Sequence, residues 1–464
     1  MNPRRMLSRS TLISFALAML LAPFDSGYAE WKVPADLAGK LAGLSEDQRE
    51  FIESGAALDF LPERQLVHEL TTQEESNLQS FVADVMSLAE EMGYNPQRDM
   101  GAIPLNLTAL KFSGGMVPTP APLREAKREP GPFSVQRYVF PESGVATFAG
   151  AKVAIWPEDL VAGQVHVAII GVPHDMSSGR RGAKWGPDEM RALDTIATPD
   201  IQSLIDPLEE LSVVDYGNFA TDNMSTELSL KHVMAMVAET VASGAVPMMV
   251  GGDTSMLYPG VKGVAQVHGR GNFGLLHFSA HPDADPNGAH TVSDEQAIFL
   301  LLEQGIIKGS DTIQVGMRGP SVNQQTLQWL RDRKVRYHTM AEIQQQGYDK
   351  VLKRVLSETA KGPDKFFVSV DVSVLDPSEM IAAGRIAAGG MRFEQIAQTI
   401  RYVCAAKQIV GFELTDMAPV LDLSRLSVVN ANALLNACLV GMAVRKSGLK
   451  ADYVHPLAAD HGQK

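Results

Sequence analysis

Three short stretches of the chain carry side chains able to do chemistry. They are "GGDTS" from Gly251 to Ser255, "SAHPD" from Ser279 to Asp283, and "SVDVSVLDP" from Ser369 to Pro377. Each closes an apolar, β-rich run that reads as a buried strand. His281 and Asp283 have period-two spacing, which aims both to one side of an extended segment. Together with Asp371 they can bind a divalent cation through imidazole and carboxylate. The plainer reading of Asp253, followed by Thr254 and Ser255, is a helix cap. An isolated His-x-Asp is weak evidence for a metal; three chemistry-bearing strand ends in one chain are stronger. Ser279 is the odd member, because a metal centre favours a carboxylate there.

The elements that must hold these residues are legible as an alternation. Short β-rich runs occur at "VHVAIIGV", "LSVVDY", "VPMMVGG", "FGLLHF", "TIQVGM", "KVRYH", "FFVSVD" and "IVGFEL". Helix-compatible stretches such as Leu228 to Ala242 and Phe393 to Cys404 separate most of them. Strands apolar along their whole length, alternating with helices, predict a parallel sheet covered on both faces. Sites in such sheets form beyond the carboxyl ends of the strands, so the three motifs are expected to meet in one crevice. The α/β domain is expected over residues 151–450, with a tail at 451–464. The stretch "SRLSVVNANALLNACLVGMAV" has helical spacing and reads as a core helix.

Residues 1–29 read as a secretory signal. Arg4, Arg5 and Arg9 are basic, "TLISFALAMLLA" is an apolar core too short to span a membrane, and "GYA" precedes Glu30. The mature chain is therefore expected to be exported, periplasmic or secreted, without a membrane anchor. Residues 30–112 read as a helical extension, with capping-box spacing at "SEDQ" and at "TTQEE". Residues 113–150 are rich in Pro and Gly and suit a linker or wrapping segment. The formal net charge is -13 with scattered Lys and Arg, which argues against nucleic acid or an anionic membrane as partner. Cys404 and Cys438 lie in apolar, helix-like surroundings, and buried free thiols are expected rather than a bridge.

The segment from Val165 to Val444 resembles the ureohydrolase family of arginases and agmatinases, whose pattern is GGDHS, then DAHxD, then SxDxDxxDP. Two further stretches match: "GVPHDMSSGRRGAKWGPDEMR", Gly171 to Arg191, and "GFELTDMAP", Gly411 to Pro419. The resemblance implies a three-layer α/β/α fold with an eight-stranded, mostly parallel sheet, and commonly oligomers. It also implies hydrolysis of a guanidino compound by a hydroxide bridging two manganese ions, or nickel in some members. Carried over one position at a time, the six metal ligands fall on Thr254, Ser279, His281, Asp283, Asp371 and Ser373. Three have become small hydroxyl residues. The surviving His281, Asp283 and Asp371 allow one divalent Mn or Ni ion at most, or none, because two carboxylates cannot balance two dications. Ser293 or Asp294 stands where the family has a histidine that helps handle protons and substrate, and His290 comes too early to count. The loop "SEMIAAGRIAAGG" keeps Gly384, Gly389 and Gly390 but lacks the family's prolines. Asp416 is expected to face a guanidinium group.

Three functions follow as expectations. The first is an exported, non-catalytic family member serving as scaffold, ligand binder, or partner of an active paralogue in a homo- or hetero-oligomer. The second is an altered hydrolase of guanidino or related C-N compounds, with one metal on His281, Asp283 and Asp371 completed by Asp285 or His277. The third is a metal-free binder of cationic guanidino ligands through Asp283, Asp371 and Asp416.

Overall fold

The computed structural model describes residues 33–92 and 146–462, apart from positions 36, 62, 177–178, 194–199, 223, 287–292 and 461. The expected signal, His290, and most of the Pro/Gly-rich stretch lie outside the described residues. The chain divides into two units, Met1–Lys127 and Arg128–Lys464, a division that falls inside that stretch.

In the first unit the helix Glu46–Glu53 begins with the expected capping box. Gln48 N donates to Ser45 Oγ at 3.3 Å and Ser45 N donates to Gln48 Oε1 at 3.1 Å. Thr71 and Thr72 do not open a helix as expected. They end the helix Glu63–Thr72, where their hydroxyls donate back to Val67 O and His68 O, and the next helix runs Glu75–Met92. Leu66, Leu70, Leu78 and Phe81 are buried.

The second unit holds one sheet whose nine strands all pair in parallel. They are β1 (Lys152–Val153), β2 (Val167–Gly171), β3 (Val213–Asn218), β4 (Val246–Val250), β5 (Gly274–Phe278), β6 (Thr312–Met317), β7 (Arg336–Thr339), β8 (Lys365–Asp371) and β9 (Gln408–Thr415). Their order across the sheet is β1-β3-β2-β4-β9-β8-β5-β6-β7. Eight correspond to the expected runs. The ninth, β1, is a two-residue edge strand, too short to leave a periodicity.

Strand alternation sorts the apolar side chains onto two faces. Met248, Val250, Leu276, Phe278, Val368, Val370, Phe412 and Leu414 pack with the helices Phe393–Ala406 and Leu426–Lys446. Met249, Leu275, Phe367 and Val410 pack with the helices Thr226–Ala242 and Leu257–His268. The result is three layers, each fully buried aliphatic or aromatic side chain contributing about 1.5–3 kcal/mol. The long C-terminal helix is a core helix, as its spacing predicts. At Gly441 a Cβ would collide with Arg401 O, so glycine permits the close approach of the two helices on the first face. That approach brings Cys404 and Cys438 to a Cα–Cα separation of 5.4 Å, where they form a disulfide. The expectation of free thiols is thus corrected; sequence spacing alone gave no sign that these two helices touch.

Candidate functional site

The four strands that carry the motifs are neighbours in the order β4-β9-β8-β5. Val250, Leu414, Val370 and Phe278 stand level with one another across them. Each strand end therefore delivers its next residue to the same height: Gly251, Thr415, Asp371 and Ser279. The three motifs and the Asp416 segment meet in one place because the register requires it.

At the end of β4, Gly251 and Gly252 take φ of 84° and 75°, a left-handed turn that L side chains avoid. The turn presents Asp253 as an N-cap, as the plainer reading holds. Its Oδ1 accepts from Ser255 N at 3.0 Å and its Oδ2 from Met176 N at 2.7 Å, which ties the loop after β2 to this strand end. At the end of β8, Asp371 Oδ1 accepts from Ser373 N at 2.8 Å. Its Oδ2 accepts from Ser279 Oγ at 3.0 Å and Thr254 Oγ1 at 3.2 Å. Two of the three hydroxyls at the altered ligand positions thus serve the surviving carboxylate.

The centre of the site is a residue that the sequence reading passed over, Arg385. Its Nη1 donates to Asp283 Oδ1 at 2.9 Å and its Nη2 to Asp371 Oδ2 at 2.9 Å. Its Nε lies 3.2 Å from Asp294 Oδ2, an ion pair without hydrogen-bond alignment. The arginine is only 8% exposed, and Asp283, Asp294 and Asp371 are buried. Asp294, rather than Ser293, is the residue that faces the site. Arg318 fixes the loop that carries Arg385: its guanidinium donates to Ser373 O, Val374 O and Leu375 O on one side and to Ala387 O and Ala388 O on the other. From above, Arg180 N donates to Gly384 O at 3.0 Å, and Gly179 lies against the Arg385 side chain.

The two histidines among the expected ligands are engaged with other partners. His281 places Nε2 2.8 Å from Arg385 O and Nδ1 3.2 Å from Ser321 Oγ. His277 bridges Asp283 Oδ2 at 2.9 Å and Ser369 Oγ at 2.9 Å, and Ser369 Oγ donates to Glu413 Oε1 at 2.6 Å. This row follows the sheet register, in which His277, Ser369 and Glu413 are side by side. Asp285 donates its backbone N to Glu295 O. Asp416 Oδ2 accepts from the Arg385 backbone N at 2.8 Å, and its carboxyl also interacts with the Arg385 charge. Asp283 and Asp416 are both non-glycine residues at positive φ, 47° and 69°, a conformation aspartate tolerates better than most side chains.

Electrostatics follow from burial and from the Arg385 charge. Burial alone would raise the Asp283 carboxyl, but the Arg385 charge and the His277 bond outweigh it and hold it well below the usual carboxylate range. Burial would lower Arg385, yet Asp283, Asp371 and Asp294 keep it firmly charged. Asp416 is pushed well above the usual range by burial and by the Asp371 charge. Burial likewise lifts Glu413 to about 8, against the Ser369 hydrogen bond. Burial raises Asp253 as well, against its Ser255 and Met176 hydrogen bonds, so three buried acids beside the arginine, Asp253, Glu413 and Asp416, are driven towards neutrality.

The family model for the arginase family matches residues 165–441, more than half of the chain. This chain belongs to the arginase family. It is 28% identical over 324 residues to a mitochondrial agmatinase of Gallus gallus, covering 69% of this chain and 92% of that protein. A solved structure of a hypothetical agmatinase from Burkholderia thailandensis superposes with a TM-score of 0.60 at 25% identity, covering 70% of this chain and 97% of its own. Trypanosoma cruzi formiminoglutamase, solved with Mn2+, shares the fold with a TM-score of 0.55 at 22% identity, covering 61% of this chain and 95% of its own.

The residues of this arginase-family chain do not fit the binuclear ion pair implied by the resemblance. Thr254, Ser279 and Ser373 offer neutral oxygens where three ligands are expected. Among the described residues no three His, Cys, Asp or Glu side chains are grouped to hold a metal ion. The expected trio of His281, Asp283 and Asp371 is split: the carboxylates hold a guanidinium, and both imidazole nitrogens of His281 are turned to other partners. Charge and geometry both resist a dication at that point, since it would stand against a fixed positive group. The sequence did contain a signal. Arg385 is the one Lys or Arg in the loop from Ser378 to Gly390, opposite a crevice with too few cations for its carboxylates.

Proposed function

We propose that this chain is a non-catalytic member of the arginase family, exported from the cell and keeping the fold as a scaffold or as the partner subunit of an active relative. The observation that carries the reading is the Arg385 guanidinium seated between Asp283 and Asp371. Hydrolysis of a guanidino group by a metal route needs an ion that binds water, lowers its pKa and presents it to the carbon. A guanidinium has no coordination position to offer a water molecule. The same contacts weigh against the single-ion hydrolase, because Arg385 takes the lone pairs that ion would need. They also weigh against an open guanidino-binding crevice, because the Arg385 side chain fills it under the loop carrying Gly179. Export rests on the basic and apolar pattern of residues 4–29, and the Cys404–Cys438 disulfide suits an oxidising compartment.

The test is urea release by the purified full chain, incubated with Mn2+ or Ni2+ and offered agmatine and short guanidino acids. No urea above that from Asp371→Ala is expected. Urea production that Asp371→Ala abolishes would overturn the non-catalytic reading.

A further inference from the structure

We propose that Arg385 is the built-in counter-ion of the altered centre: a tethered guanidinium does the charge balancing that dications do in the family, and the acidic cradle around it is a guanidinium site filled by the chain itself. The proposal deepens the non-catalytic reading and rests on it. Three features support it. The guanidinium meets three carboxylates, with two hydrogen bonds of 2.9 Å and an ion pair of 3.2 Å, so charge and planar geometry are matched together. The side chain is not a surface group folded inward. Its loop is clamped by Arg318 through carbonyls on both sides, and its own backbone N–H is held by Asp416. Finally, the hydroxyls at Thr254 and Ser279 donate to the carboxylate oxygen Arg385 uses, so the ligand-position substitutions and the arginine form one hydrogen-bonded unit.

A counter-ion of this kind makes two demands. Wild-type protein needs no metal to fold, and removing the arginine side chain leaves Asp283 and Asp371 without the cation hydrogen-bonded to them, together with a cavity of guanidinium shape. An uncompensated buried charge is strongly destabilising, and in a domain of this size the melting temperature is expected to fall by on the order of 10 °C. A small cation that binds the folded state alone then restores stability by mass action.

The experiment is thermal unfolding of the full chain, wild type and Arg385→Ala, with EDTA, with Mn2+, and with methylguanidinium or guanidinium chloride at low millimolar concentration against equal NaCl. Elemental analysis after desalting counts bound metal. The expected result is a wild-type melting temperature indifferent to EDTA and Mn2+, no ion retained, and an Arg385→Ala protein that regains several degrees with guanidinium but not with NaCl. Wild-type protein that retains about one ion per chain, or an Arg385→Ala protein indifferent to guanidinium, overturns the proposal. If Arg385→Ala does not fold, Arg385→Ala with Asp283→Asn and Asp371→Asn decides. Recovery of folding on neutralising the carboxylates supports the counter-ion role, and failure to recover shows that packing rather than charge was lost. Retained metal without urea release would end this proposal and leave the non-catalytic reading standing. Urea release from metal-free protein would do the reverse.

Discussion

At the scale of single residues, the site sets two kinds of carboxylate side by side, and substitution separates them. Asp371 is an ionised partner of Arg385 that also accepts from Ser279 and Thr254. Replacing it with Ala removes one of the two hydrogen-bonded carboxylates of a buried guanidinium and the acceptor of Ser279 Oγ, which is expected to cost about 3–5 kcal/mol. Asp416 is held towards its neutral acid form by burial, and its Oδ2 accepts only the Arg385 backbone N–H. Asp416→Asn keeps that acceptor and offers an amide donor where the acid has a hydroxyl, so a change within about 1 kcal/mol is expected. Chemical denaturation of the two variants measures both, and a large loss for Asp416→Asn would show that Asp416 is charged. Most of these residues were legible from the motifs: Asp283, Asp371, Thr254, Ser279 and Ser373 all stand in the crevice. Arg385 was not, because its loop reads by its glycines and no local pattern announces that an arginine will turn inward. Arg318 escaped for the same reason. Its role lies entirely in bonds to backbone carbonyls, which leave no trace in residue type.

At the scale of elements, the strands were plain because each is apolar over its whole length, and only β1 fell below the length at which a pattern exists. The helices were readable as helix-compatible stretches and one core helix, but their mutual contacts were not, which is why the disulfide between Cys404 and Cys438 went unexpected. It closes a loop of 34 residues, for which the chain-entropy model gives roughly 4 kcal/mol of stabilisation. The far edge of the sheet holds a pH-sensitive contact among three elements. His338 on β7 places Nδ1 3.0 Å from Glu342 Oε2 on the helix Met340–Gln346, and Nε2 3.0 Å from Glu358 Oε2 on the helix Tyr348–Lys361. Burial would lower its pKa, but the Glu358 and Glu342 carboxylates prevail and raise it above the ordinary 6.5. A raised folded-state value means the imidazolium stabilises the fold fully below about pH 6.5, and that contribution is lost as pH rises through the folded value. Comparing melting temperature against pH for wild type and His338→Gln tests this. The gap between them is expected to be widest on the acid side and to narrow towards alkaline pH. A gap independent of pH would mean that His338 packs there as a neutral ring.

At the scale of the whole molecule, the sequence is legible as acidic, with a formal net charge of -13, and changes texture over residues 113–150. The division into Met1–Lys127 and Arg128–Lys464 falls within that texture change. The physical basis of a unit is whether it closes its own core, and the second does so twice over. Its sheet is covered on one face by the helices Phe393–Ala406 and Leu426–Lys446 and on the other by the helices Thr226–Ala242 and Leu257–His268. The Arg385 site is likewise built entirely from residues of this unit, all lying after Val172. A chain of residues 128–464 is therefore expected to fold alone, to unfold in one cooperative transition, and to melt within a few degrees of the matching transition in the full chain. Calorimetry of both proteins provides the measurement. A broad, non-cooperative transition in the shorter protein would show that the α/β unit depends on the helical N-terminal unit for its stability. That outcome would make the N-terminal unit part of the scaffold rather than an addition to it.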